Sequence, residues 1–335
     1  MEHIIFSSIM NYLDNNNLLS SYQYGFRKNH SCEQQLINTT EDLARIRDNK
    51  SQADILILDF SKAFDTVPHR HLVHKLRKKG IDKYTVNWID NWLQNRKQTV
   101  LLDGFKSHPA TVRSGVPQGT VLGPLLFLLY INDIGDNLTT GTSIRLFADD
   151  CLLYRDIKTH NDTEILQKDL TELEKWSIDW KMSFNPKKCY VLQTTHNIRN
   201  RIIRPYFLHS TKLELKEHNP YLGVELDSKL NWNHHITSKV NKASQQLNFK
   251  ILYHQVATEI PQYYLINNRK TRHSHTVSIM QPQCNTSEYE YSFYPRTIRD
   301  WNHLPGNIAT DTDSDSFKEN LWSHFHPETR VTVML

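Results

Sequence analysis

The apolar positions of the chain recur with two periods, and these divide it into strands and helices. The segment 53–60 (ADILILDF) is a short, nearly continuous apolar run. That pattern predicts a strand buried on both faces and ending in a carboxylate, Asp59. Residues 143–147 and 151–154 read as two further strands joined by a tight acidic link, Ala148-Asp149-Asp150, and so predict a β-hairpin with two carboxylates at its tip. Shorter strands are expected at 189–193 and around Tyr221-Leu222-Gly223-Val224. Asp103-Gly104, bracketed by 99–102 and 110–112, predicts another hairpin turn.

Helical spacing predicts helices over 4–20, 31–49, 68–79, 84–96, 120–133, 162–181 and 232–256. Ser31 is placed to cap the second, with Leu36, Thr40, Leu43 and Ile46 on one face. Asp65 or Thr66 is placed to cap the third, with Pro68 in its first turn. Trp176 and Trp180 fall on the apolar stripe of the 162–181 helix and read as core. Beyond about 258 the pattern weakens. The basic run 269–273 and the acidic run 311–315 read as solvated segments.

Composition narrows the class. The chain has 335 residues, 38% hydrophobic and 23% charged, with a net charge of +4. This is a globular, mildly basic chain of roughly two domains, compatible with a polyanionic partner. Cys32, Cys151, Cys189 and Cys284 lie far apart without paired spacing. They read as reduced thiols of an intracellular protein, nuclear or cytoplasmic, and not as a disulfide framework; His273, His275 and Cys284 make no zinc set. No signal peptide is evident at the N-terminus, and the most apolar stretch, 121–131, is too short to span a bilayer.

The chemistry-bearing pattern is acidic. Adjacent carboxylates at a turn repel one another unless a cation sits there, and the alternatives are a divalent metal or a solvated turn. Asp59, at the end of a buried strand, favours the metal, because a buried acid is costly unless paired or coordinated. Hard oxygen donors of this kind suit magnesium, which completes its shell with water and substrate phosphates. Two such ions would serve in-line phosphoryl transfer, with Asp59 and Asp149 bridging them and Asp150 in support. Asp65 is accounted for as a helix cap. The loop SGVPQG at 114–119 opens onto an apolar helix whose N-terminal end favours negative charge. Arg27 and Lys28 lie in a basic loop that could face phosphates.

In this order the motifs QYGFRKNHS (23–31), LDFSKAFDTVPH (58–69), SGVPQGTVLGPLLFLLYIND (114–133), LFADDCLLY (146–154), FNPKKC (184–189) and YLGV (221–224) resemble the reverse transcriptase domain of jockey-like non-LTR retrotransposons. The resemblance covers about residues 10–250. It implies an α+β fold: a right-hand polymerase with palm and fingers, an antiparallel palm sheet, a reduced helical thumb and a small C-terminal extension. The implied division is fingers and palm at 1–227, with a truncated start, a partial thumb at 228–258, and an extension at 259–335. The segments 271–275 and 291–305 resemble the region downstream of the polymerase.

By position, the resemblance makes Asp59, Asp149 and Asp150 the metal-binding and catalytic acids, with two Mg2+ ions for which Mn2+ can substitute. Lys187 or Lys188 becomes the general acid near the leaving pyrophosphate. Arg27, Phe60, Phe64, Gln118 and Gly119 fall at nucleotide or template positions, with the Phe64 ring excluding a 2′-hydroxyl. Tyr221, Leu222 and Gly223 form the primer grip. The implied partners are an RNA template, a DNA primer or target and dNTPs, in a ribonucleoprotein with the element RNA and without a membrane. The implied activity is RNA-directed DNA polymerisation. The alternative is an inactive remnant that only binds nucleic acid, since the family's upstream endonuclease and a long stretch after the thumb-like helix are expected but not found in this sequence.

Overall fold

The computed structural model describes residues 1–94, 96–196, 198–252, 275–283 and 293–325. The chain divides into two compact units, Met1–Asn231 and Trp232–Leu335. Expectations placed on 261–265, 269–273, Cys284 and 291–292 fall outside the described residues.

The first unit is built on a five-stranded sheet. Its strands are β1 (Gln52–Leu58), β2 (Thr142–Phe147), β3 (Asp150–Ile157), β4 (Tyr190–Thr195) and β5 (Glu214–Lys216), in the spatial order β5-β4-β1-β3-β2. The pairs β1–β3, β1–β4 and β2–β3 are antiparallel, as expected. The edge strand β5 departs from this and runs parallel to β4.

The continuous apolar run of β1 is explained by cover on both faces, and every residue of the strand is buried. Ala53, Ile55 and Ile57 pack beneath α2 (Cys32–Asp48), the helix that follows α1 (Glu2–Asn15), with Leu43 and Tyr221. Leu56 and Leu58 point the other way. They join a larger core with α3 (His69–Lys78), α4 (Lys83–Leu93), α5 (Leu122–Ile131) and α6 (His160–Asp179). Successive residues of β1 point to opposite faces, so one strand serves two cores.

Local signals act largely as expected. Ser31 caps α2 in a full capping box with Gln34. The 68–79 helix begins at His69 behind Pro68, with no side-chain cap, and 63–66 forms a separate helical turn. Asp65 is therefore not the cap assigned to it. Lys75 is buried between α3, α5 and α6. Its ammonium donates to the Tyr130 carbonyl (2.6 Å) and Asp133 Oδ1 (2.5 Å) and lies 3.7 Å from the Trp180 ring centroid. Burial lowers its pKa to about 8 despite these partners. Trp176 belongs to the core, as its spacing predicts, and half-buried Trp180 packs against it.

The second unit has its own apolar cluster. Phe249 of α7 (Asn233–Leu252) stacks on Phe317 of α9 (Ser314–Phe325) at 4.2 Å, and Trp301 of α8 (Phe293–Asn302) is fully buried beside them. The acidic run 311–315 is more than solvated. Asp313 Oδ2 accepts from the backbone N–H of Asp315 and Ser316 and so caps α9. Among the described residues no helix is long and apolar enough to cross a membrane.

Candidate active site

β1 ends at Leu58, paired with Cys151 of β3, so Asp59 leaves the sheet beside the start of β3. Phe147 pairs with Asp150, which leaves Ala148-Asp149 as the turn. The hairpin tip therefore carries Asp149, whereas Asp150 is the first residue of a strand. Ala148 sits at φ +54°, a left-handed conformation that costs a non-glycine residue roughly 1–2 kcal/mol.

What holds that turn was not foreseen. Gln23 is buried and lies parallel to Leu146, between backbone bonds from Tyr24 N to Leu146 O and from Leu146 N to Tyr22 O, both 2.8 Å. Its Oε1 accepts from Ala148 N (3.0 Å) and Gly25 N (2.8 Å), while Nε2 donates to Ala148 O (3.2 Å). Gly25 packs directly on the turn: a Cβ there would lie 2.2 Å from Ala148 N. A polar side chain in the QYGF loop thus clamps the strained residue next to Asp149. The Gln-x-Gly spacing was the available signal, since a buried amide and a close backbone approach both need a specific partner.

The carboxylates influence one another. Burial raises the pKa of Asp59, with Lys188 acting against it and Asp149 adding to it. Burial also raises that of Asp149. Asp150 is pushed up to about 6, first by desolvation and then by Asp149 and Asp59, although its side chain reaches solvent. Among the described residues, no three His, Cys, Asp or Glu side chains close into a ready-made metal cage. The donors are nevertheless hard carboxylate oxygens in mutual repulsion, which suits a divalent ion that takes its other ligands from water and phosphates.

This repulsion has a measurable consequence. An unfolded aspartate titrates near ~3.9. A raised folded pKa stabilises the fold fully below that value, and the stability is lost as pH rises through about 6. Asp150→Asn should therefore stabilise the metal-free protein at neutral pH by about 1 kcal/mol after solvent screening, and by much less below the unfolded pKa. Thermal unfolding at the two pH values checks this. An equal shift at both would remove the repulsion.

Of the two lysines in the turn Pro186–Lys188, Lys188 acts on Asp59, whereas Lys187 is exposed. The turn is fixed to the strand end by Asn185 N to Asp59 O (2.8 Å), and Asp59 N–H points to Cys189 Sγ (3.3 Å). Phe64 stacks on buried Phe127 at 4.3 Å and meets the edge of Phe26 at 6.2 Å, leaving its ring partly exposed.

The SGVPQG loop docks on the segment after Asp59. Gly115 N and Val116 N donate to the carbonyls of Val67 (2.8 Å) and Phe64 (2.7 Å), and Gln118 Nε2 donates to Asp65 Oδ1 (3.3 Å). Gly115 has φ +92°, and a Cβ there would meet the Asp65 backbone at 2.8 Å. Gly119 faces open space at φ +75°.

Several expectations need correction. Phe60 does not reach a nucleotide: it is buried and stacked on Phe184 at 4.2 Å, because the alternation of the strand carries it into the core with Leu58. Arg27 commits Nη1 to the carbonyls of Ser20 (2.8 Å) and Gln23 (3.2 Å), bracing the loop that holds the clamp. The anion-favouring end of α5 is already served by Glu2, whose Oε2 accepts from Val121 N (3.0 Å). Tyr221-Leu222-Gly223-Val224 is not a single strand. Leu222 and Gly223, both at positive φ, form the turn between β6 (His218–Tyr221) and β7 (Val224–Asp227). Tyr221 is a core residue whose hydroxyl receives Gln35 Nε2 at 2.5 Å.

Comparison with known proteins supplies the family. Residues 3–226 match the family described as reverse transcriptase (RNA-dependent DNA polymerase). The chain is 28% identical over 257 residues to the probable RNA-directed DNA polymerase from transposon BS of Drosophila melanogaster, covering 73% of this chain and 28% of that protein. It is 30% identical over 245 residues to the RNA-directed DNA polymerase from mobile element jockey of Drosophila funebris, covering 71% of this chain and 26% of the relative. It thus spans little more than a quarter of the length of these relatives. Among solved structures, telomerase from Candida tropicalis with a fragment of telomeric RNA aligns at TM-score 0.48 and 9% identity, covering 98% of this chain and 47% of that one. With the family's pattern matched across the sheet, the acidic turn and the SGVPQG loop, the chain belongs to the reverse transcriptases.

Proposed function

We propose that this chain is the polymerase part of a non-LTR retrotransposon protein and copies RNA into DNA. The observation that carries the proposal is the convergence of Asp59, Asp149 and Asp150 at one end of a rigid, doubly covered sheet. Members of the family generally use divalent ions; here two Mg2+, or Mn2+ in their place, would activate the primer hydroxyl and neutralise charge developing on the phosphates. Asp59, at a strand end, and Asp149, in a turn, would hold the ions, with Asp150 in support. The primer 3′-hydroxyl loses its proton to water, and its oxygen forms a bond to the α-phosphorus of a dNTP as the bond to the β-phosphate oxygen breaks. Of Lys187 and Lys188, the second is taken here as the residue that protonates the departing pyrophosphate, a choice supported by its electrostatic pull on Asp59. The partners under this reading are an RNA template, a DNA primer or target and the element's own RNA.

Phe64 sets the sugar preference. One face of its ring is fixed against Phe127, so it cannot swing aside for a 2′-hydroxyl. Phe64→Ala is expected to raise rNTP incorporation relative to dNTP by roughly 10-fold or more, a difference of about 1.4 kcal/mol. Unchanged rejection of rNTPs would take Phe64 out of this role. In this reading Gln118 and Gly119 lie along template and nucleotide, supported by the hold of Gln118 on Asp65 and the open space around Gly119. The Leu222-Gly223 turn offers backbone to the primer end.

The experiment is primer extension on poly(rA)/oligo(dT) with magnesium, and dTTP incorporation is the expected result. A folded protein that binds heteroduplex yet extends no primer would replace this reading with that of a nucleic-acid-binding remnant.

A further inference from the structure

The β5 edge of the sheet holds a cavity that shares no residue with the carboxylate site. It measures about 330 Å³, at the small end of the range of ligand sites, roughly 300–1,000 Å³. Val191 and Gln193, two apart in β4, turn their side chains to one face and floor it, while Tyr206 and Leu213 wall it. All four are buried. Leu192, between the first two, points the other way, into the core beneath α2.

The walls are tied in place independently of any ligand. β5 pairs with β4 from Glu214 opposite Tyr190 to Lys216 opposite Leu192, and Leu213 N donates to Tyr206 O (2.8 Å). The Tyr206 hydroxyl donates to Asp54 Oδ2 (2.6 Å). Gln52 bonds both the N–H and the carbonyl of Ile202, at 2.9 and 2.8 Å, which anchors the segment leading into the wall. A pre-formed, mainly apolar hollow with a few fixed polar groups is how small-molecule sites are built.

One polar group of the floor is unspent. Gln193 is 4% exposed. Its Nε2 donates to Ile202 O (3.4 Å), which orients the amide, whereas Oε1 has no hydrogen-bond partner among the described residues. Buried acceptors are ordinarily paired, and a donor entering on the cavity side of β4 would recover the cost of leaving this one bare. The mouth has no preference for charge. Arg204 is paired with Glu164 at 3.2 Å, and Lys212 and Glu214 are of opposite sign. The flat rings of Tyr206 and Pro205 line the space between floor and mouth.

We infer that this cavity binds a compact, neutral, planar aromatic molecule that donates one N–H to Gln193 Oε1. Its ring lies against Val191, Tyr206 and Leu213. The inference rests on the cavity and its unpaired amide and does not depend on the polymerase reading.

The test uses indole as the probe and benzofuran as its control, a ring of the same shape with an oxygen in place of the N–H. Each is titrated into the full chain carrying labelled methyl groups, and NMR reads affinity and position. Indole should saturate with a Kd of about 1 mM or tighter, the scale for so small a ligand. It should show nuclear Overhauser contacts to the methyls of Val191 and Leu213. Benzofuran should bind roughly 5-fold or more weakly, because it brings a second acceptor to Oε1. Gln193→Leu, which keeps the volume and removes the amide, should bring the two affinities together. Equal affinity of the wild type for both rings would overturn the inference. So would contacts confined to other apolar side chains, or a preference for indole that persists in Gln193→Leu. Should that variant fail to fold, the wild-type preference and the contact pattern decide.

Discussion

Asp149→Ala and Asp59→Ala are each expected to reduce dTTP incorporation on poly(rA)/oligo(dT) by at least ~10³-fold, the scale set by removing charge stabilisation from a phosphoryl-transfer site. The fold should survive both changes. Each removes a carboxylate that burial holds above the usual aspartate range, and neither deletes a core side chain. Unfolding temperature should be unchanged or slightly raised, which separates lost chemistry from lost structure. Asp150→Asn should cost less, because Asp150 stands in the strand beside the turn that carries Asp149. Near-normal incorporation by Asp149→Ala would sink the assignment, whatever the behaviour of the other two. Binding of heteroduplex should persist in all three variants.

A second large effect is expected from a residue that touches no substrate. Gly25→Ala would place a methyl 2.2 Å from the Ala148 nitrogen. The loop cannot back away, because the bonds from Tyr24 N and to Tyr22 O fix it to Leu146 on both sides of Gln23. The acidic turn must yield instead, and overpacking of this kind costs about 1–3 kcal/mol. Displacing Asp149 by about 1 Å should reduce extension by roughly 10²-fold. Ala148→Gly is the control, since it relieves the left-handed strain at the same turn and leaves the Gln23 bonds, which use backbone atoms, in place. Extension within a few-fold of normal in Gly25→Ala would show that the turn tolerates movement and that Gln23 does not fix it.

The palm was legible where one residue type at one spacing has one stable use. The apolar run at 53–58 could only be a strand covered on both faces, and β1 is that strand. Asp103-Gly104 demanded a tight turn and forms one. Ser31 with Gln34 made a capping box. Phe60 was misassigned because its neighbour Asp59 is at the site. Strict alternation already placed Phe60 with Leu58, on the core side. The contacts of Gln23, Arg27 and Glu2 were out of reach for another reason. Gln23 and Glu2 meet partners far along the chain, at Ala148 and Val121, Arg27 turns back on its own loop at Ser20, and a polar side chain carries no periodicity that reveals what it will bond. The Leu222-Gly223 turn escaped because Leu is not a residue that signals positive φ.

The place of β1 in the sheet also orders events in time. Both of its neighbours lie far ahead in the sequence, β3 beyond residue 149 and β4 beyond residue 189. A growing or refolding chain must carry Asp59 at the end of an unpaired apolar strand until those segments arrive, a slow, non-local closure. The carboxylate site is therefore among the last parts of this unit to assemble. Protection of the Ile55–Leu58 amides from hydrogen exchange would mark the moment at which it exists.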